Sequence, residues 1–131
     1  LLDRIDLHVQ VAPVDYEDLA DAAGGESSAA ILARVLAARQ IQTARYAGTG
    51  VRCNAQLPPA LLRRFCVTTP AAAAMLREAF RSMGLSARAY DRILKVARTI
   101  ADLAGADRIG EEHLAEALQY RSLDRKYWYS N

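Results

Sequence analysis

Cysteine, histidine and lysine are all scarce in this chain of 131 residues, and each shortage excludes a class of chemistry. Cys53 and Cys66 lie far from each other and from His8 and His113. That spacing supports neither a disulfide framework nor a zinc site, and no metal-ligating residue is expected. Two cysteines without a framework fit a reduced, cytoplasmic setting. No apolar run approaches the roughly 18 residues of a membrane helix, and no signal-peptide pattern is present, so no membrane partner is expected. There is no Gly-rich loop ending in Lys-Ser or Lys-Thr, no G-x-S-x-G and no pair of histidines. The chain by itself is not expected to be catalytic.

What is abundant is alanine, leucine and arginine. The apolar share of 52% comes mostly from Ala, Leu, Val and Ile, which favours packed helices, and the length suits one domain with its own core. The chain opens Leu1-Leu2 rather than with Met and is expected to be part of something longer. Its net charge of +2 hides an asymmetry. Residues 1–26 hold seven acids against Arg4 alone, so the remainder carries 16 bases and 8 acids. A basic segment of this kind suits nucleic acid or nucleotide phosphates. With arginine dominating in an Ala-rich chain, codon bias is the ordinary alternative.

In chain order, Ile5, Leu7, Val9 and Val11 alternate with Asp6, His8 and Gln10, the pattern of a half-buried strand. One strand needs neighbours, so this one reads as the last of a sheet whose other strands lie upstream. Tyr16 to Leu19 suits a helical turn, and Gly24-Gly25-Glu26 a flexible break. Ser27 or Ser28 caps a helix to about Tyr46, with Ile31, Leu32, Val35 and Leu36 as its inner face and Arg34, Arg39 and Arg45 outside, without acidic neighbours. Residues 51–57 read as loop, with Asn54 at a turn. Pro58-Pro59 starts a short helix ending near Cys66, which reads as a buried apolar residue. Thr69-Pro70 opens a helix through Met83. The last helix starts at Gly110, with Ile109 and Leu114 as a hydrophobic staple, and buries Leu114, Ala117, Leu118 and Tyr120. The tail from Arg121 to Asn131 is polar apart from Tyr127, Trp128 and Tyr129, aromatics suited to terminal packing or to nucleic acid.

The stretch from Gly84 to Leu103 organises the rest. Gly84 stops one helix, Ser86 caps the next, and Leu85 and Tyr90 form a staple across the cap. Tyr90, Leu94, Ala97, Ala101 and Ala104 make an apolar stripe, widened by Ile93, Val96, Ile100 and Leu103. Arg88, Asp91, Arg92, Lys95, Thr99 and Asp102 form the opposite, polar edge. Arg88 is the oddity. A cation in the first turn opposes the helix dipole by roughly 0.3–1 kcal/mol, unless an anion lies between them. An exposed arginine without a partner is the plain alternative.

At these residues the chain resembles a family. Leu1-Leu2-Asp3-Arg4-Ile5-Asp6-Leu7-His8-Val9 is similar to the end of the ATPase core in the magnesium-chelatase-like branch of the AAA+ proteins. The run from Ser86 to Leu103 is similar to the lid helix that begins with the sensor-2 arginine. Asn54-Ala55-Gln56-Leu57 and the run Ile109–Arg121 fit the ComM (YifB) type within that branch. The resemblance covers nearly the whole chain, residues 126–131 excepted.

The resemblance implies a mostly α fold: residues 1–12 as the terminal strand of the core, 13–26 as linker, 27–125 as a C-terminal helical-bundle lid, and 126–131 as tail. It implies ATP and Mg2+ as cofactors of the full-length protein, bound between lid and core, with none held tightly by this chain. Arg88 would contact the γ-phosphate, Arg92 would assist on the same face, and Arg4 would be a finger presented to the next subunit's nucleotide. An ion pair with a neighbouring acid is the ordinary alternative for Arg92. Implied partners are the chain's own ATPase core, neighbouring subunits of a homo-oligomeric ring of hexamer type, and DNA. The Walker motifs and sensor-1 residue are absent. Two rival functions remain: a magnesium chelatase subunit driving metal insertion into a porphyrin, and a stand-alone basic module binding DNA through residues 27–66. A salt titration separates the second, since such a module binds DNA at low salt and loses it as salt rises.

Overall fold

Local stop and start signals cut this chain into helices. The computed structural model describes residues 4–20 and 24–121. Leu1, Leu2, Asp3 and the aromatic tail, all invoked above, lie outside those residues. Among the described residues six helices follow in order: α1 Tyr16–Ala20, α2 Ser28–Arg45, α3 Pro59–Phe65, α4 Pro70–Met83, α5 Ala87–Leu103 and α6 Glu111–Gln119. A 3-10 turn, Asn54–Gln56, lies between α2 and α3. The mostly α fold is as expected.

The caps do what their chemistry suggests. Ser27, Thr69 and Ser86 each accept the N–H three residues on, at 3.2, 3.1 and 3.1 Å. Gly84 closes α4 in the left-handed conformation, φ 61°, which a side chain would strain. At α6 the Gly110 N–H donates to His113 Nδ1 at 2.9 Å, and both staple residues Ile109 and Leu114 are buried. The only β-type pairing among the described residues is an isolated parallel bridge, Thr68 to Ile109. It ties the α3–α4 link to the α5–α6 link through Ile109 N–H to Val67 O and Thr69 N–H to Ile109 O, both 2.9 Å.

α5 is the axis of the bundle, packing on α2, α3, α6 and the 3-10 turn. Its inward face is rotated from the expected stripe. Ile93, Leu94, Ala97, Arg98, Ala101 and Asp102 are buried, whereas Tyr90 and Leu103 are exposed. The row that wins is Leu94, Arg98, Asp102, spaced by four, and Asp102 therefore leaves the polar edge assigned to it. Its carboxylate is enclosed and accepts four hydrogen bonds. Arg45 donates Nη1 to Oδ2 at 2.9 Å and Nη2 to Oδ1 at 2.5 Å. Arg98 Nε reaches Oδ1 at 3.1 Å, and Asn54 Nδ2 reaches Oδ2 at 2.9 Å. Arg45 is thus not an outer residue without acidic neighbours, and its pKa is pushed up, chiefly by that hydrogen bond.

The network extends outward without a break. Arg98 donates on to the carbonyls of Ala106 at 2.7 Å and Asp107 at 3.0 Å, stitching the α5–α6 loop. Asn54 receives the Tyr46 hydroxyl at 2.5 Å and gives its own N–H to Gln42 Oε1 at 2.9 Å. Burial raises the pKa of Tyr46.

Expectations for α2, Arg121 and Arg34 are corrected. Ile31, Leu32, Val35 and Leu36 are exposed; the residues that α2 buries are Ala38 and Gln42, and Arg45 reaches from its last turn to Asp102. Residues 5–11 pair with no strand among the described residues, which leaves untested a strand whose sheet neighbours are expected upstream; Ile5, Leu7, Val9 and Val11 are exposed and His8 is buried. Arg121, assigned to a polar tail, is buried. Arg34 also has an acidic partner, Glu26.

Removing one side of a buried charge network leaves the other uncompensated. Asp102→Ala should cost about 3–5 kcal/mol of unfolding free energy, with Arg45 and Arg98 both stranded. Urea unfolding followed by circular dichroism measures it. A cost close to that of an exposed Asp→Ala change would show that the network does not hold the bundle.

Candidate functional site

The N-terminal turn of α5 is where chemistry of an unusual kind is on offer. Ser86 satisfies one exposed N–H of the turn, and the first turn contains no acid. Leu85 is buried beneath the cap. Tyr90 stands edge-on to Phe80 of α4, ring centroids 6.0 Å apart, and so fixes the α4–α5 corner. Arg88 projects from this braced corner into solvent. Among the described residues it has neither an ion pair nor a hydrogen bond. Positive charge and the positive end of a helix dipole thus face the same space, which favours an anion there.

The other arginines of interest are placed differently. Arg92, one turn along α5, pairs with Asp6 of the N-terminal segment. The partner is neither Asp91 nor Asp102, the neighbours available on α5 itself. Arg4, two residues before Asp6, is exposed and has no ion pair among the described residues. The Asp6–Arg92 pair therefore brings the Arg4 segment to the face of α5 that also carries Arg88. No direct contact joins Arg4 to Arg88.

Beside this corner, an open groove of about 700 Å³ runs between α3, α4 and the start of α5. Leu62, Cys66, Leu76 and Leu94 line it, with Phe80 and Tyr90 at one end and Arg63 and Arg77 as its basic side chains. Ala87, the residue before Arg88, lines it too. No group of three His, Cys, Asp or Glu side chains suited to a metal occurs among the described residues. None of the described helices is long and apolar enough to cross a membrane.

Sequence reasoning did not find the buried polar bonding of Asn54, Arg98, Asp102 and Gln42, or the burial of His8. One signal for them existed. Arg98 and Asp102 are four apart and continue the row begun by Leu94, the spacing of a charge pair on a buried ridge. Nothing in the sequence marks His8, whose N–H donates to the Tyr120 carbonyl at 2.8 Å.

Comparison with known proteins places this geometry in context. The family model described as magnesium chelatase, subunit ChlI C-terminal, matches residues 25–121. The competence protein ComM of Haemophilus influenzae is 44% identical over 125 residues, which are 95% of this chain and 24% of that protein. YifB of Salmonella typhimurium is 41% identical over 125 residues and YifB of Escherichia coli 40% over 126, each covering 95% of this chain and 24% of the relative. The chain thus spans about a quarter of the length of the curated relatives it matches.

The groove makes a chemical prediction. Burial pushes the Cys66 thiol up to about 11, the main cause being desolvation of its thiolate. At pH 8 it stays protonated, so N-ethylmaleimide should label half-buried Cys53 far faster than Cys66 in the folded chain, as peptide mass spectrometry can follow. The sign for stability follows: the unfolded chain loses this proton first, so stability falls as pH rises from about 9 to about 11. Equal labelling of the two cysteines would contradict the burial of Cys66.

Proposed function

The chain belongs to the magnesium chelatase subunit ChlI C-terminal family, and on that ground we propose that it is the helical lid of an AAA+ ATPase. Its work is to supply arginines to a nucleotide bound between the lid and an ATPase core. The observation that carries this reading is Arg88: exposed, without a carboxylate partner among the described residues, at the capped start of the best-anchored helix. A γ-phosphate fits that position, because it takes charge from the guanidinium and from the helix terminus together.

In this role Arg88 acts in cis as the sensor-2 residue. Its guanidinium stays charged at any working pH and can hold two phosphate oxygens at once, so it stabilises charge that builds up during transfer. When that phosphate leaves, the attraction ends and the lid is free to shift. Arg4 acts in trans, as a finger toward the nucleotide of the next subunit in a ring. Arg92 reaches the same phosphates only by leaving Asp6. With no cluster of ligating side chains among the described residues, Mg2+ in this reading arrives with the nucleotide and is held by the core.

A DNA-processing motor is the parent activity best supported, since the Haemophilus influenzae relative carries the name of a competence protein. Magnesium chelatase work is the second reading, favoured by the description of the matching family. Both use the same two arginines.

In the full-length ATPase, Arg88→Ala should lower ATP turnover by about 100-fold or more while leaving the circular dichroism of the folded protein unchanged. Wild-type turnover in that variant would end the sensor-2 reading. For Arg4→Ala the informative measurement is mixing. Rings formed with subunits that lack their own Walker lysine should regain part of the activity, and no regain, with each variant inactive alone, would count against a trans role.

A further inference from the structure

The segment that carries Arg4 is fastened to the helices at three points within four residues. The Asp6 carboxylate pairs with Arg92 of α5. The Ile5 carbonyl accepts from the Arg121 guanidinium just beyond α6, and the His8 N–H donates to the Tyr120 carbonyl. Arg92 is one turn from Arg88 on the same helix face. Arg4 is two residues from Asp6, a reach of no more than about 7 Å of extended chain. We propose that Asp6 and Arg92 are positioning residues, whose ion pair makes Arg4 and the Arg88-bearing helix a single moving body. This rests on the nucleotide-facing roles of Arg88 and Arg4 given above.

The consequence is a link between two nucleotide sites. Arg88 faces the subunit's own nucleotide, while Arg4 faces the neighbour's. A stiff connection through Asp6 and Arg92 turns movement of the lid at one site into displacement of a finger at the next. Arg92 then acts through Asp6 and is not itself a phosphate ligand. Asp6 is exposed and Arg92 half-buried, so the pair is screened by salt and yields more readily than the Asp102 network.

Charge exchange tests this. In the full-length ring, Asp6→Arg and Arg92→Asp should each lower ATP turnover about fivefold or more with KM for ATP unchanged. The double variant Asp6→Arg/Arg92→Asp should restore most of the turnover, because the pair re-forms with its signs reversed. Single variants at wild-type turnover would overturn the proposal. So would a double variant that stays impaired with a raised KM, the outcome expected of an Arg92 that binds phosphate. A second readout needs no nucleotide: hydrogen exchange of the His8 amide should speed up in either single variant and slow again in the double. Unchanged exchange in the single variants would overturn the fastening itself. Failure of the sensor-2 reading is separately visible, as wild-type turnover in Arg88→Ala.

Discussion

Two guanidinium groups share one buried carboxylate, and the bundle is assembled around that constraint. Asp102 cannot be enclosed unless both its oxygens are satisfied, and Arg45, Arg98 and Asn54 satisfy them from three directions. Such a cluster is not in itself evidence of high stability, since desolvating three charges offsets much of their attraction. What it fixes is geometry. A two-pronged Arg45–Asp102 contact holds only one angle and one register between α2 and α5. Asn54 adds the 3-10 turn, and Arg98 adds the loop that leads into α6. Four elements thus meet at one side chain. Apolar packing of Ile93, Ala97 and Ala101 fills the space between them but would tolerate several alternative alignments.

That anchoring has a direction. The network holds the C-terminal half of α5, whereas Arg88 and Tyr90 belong to its first turns, where bracing comes from the Phe80 ring and the buried Leu85. The N-terminal segment joins α5 part-way along, at Arg92. Its weaker, solvent-facing contact is the joint in the assembly that charge screening affects most.

Element types and caps were legible because their causes are local. A serine or threonine three residues before an exposed N–H, a proline in the first turn and a glycine after the last act over one turn of chain. Ser27, Thr69, Ser86 and Gly84 all took the roles their types suggest. Partners far away in sequence were not legible. Asp102 looks like a surface acid until Arg45, 57 residues distant, is set against it. Periodicity also shows that a stripe is apolar without showing what covers it. Ile31, Leu32, Val35 and Leu36 form such a stripe on α2, yet the structure buries only Ala38 and Gln42 further along. The same holds for Ile5 to Val11, where alternation identifies an extended chain and pairing decides whether it becomes a strand. At the candidate site, the capped corner and the exposure of Arg88 follow from local pattern. The Asp6–Arg92 contact joins residues too far apart in sequence for any local signal to reveal.

The excess of arginine then divides into two populations with different physics. Arg45 and Arg98 are consumed by Asp102, Arg34 by Glu26, Arg81 by Glu78 and Arg92 by Asp6. A count of bases against acids therefore overstates how much positive charge is available to a ligand. A uniform polybasic face across residues 27–66 is broken where Arg34 and Arg45 turn to carboxylates. Arg88 differs from these by position as much as by its lack of a partner among the described residues. Nowhere near a helix N-terminus does an unpaired cation lower its own energy, because the dipole opposes it. An anion shared between the guanidinium and the helix terminus would turn that small penalty into an attraction.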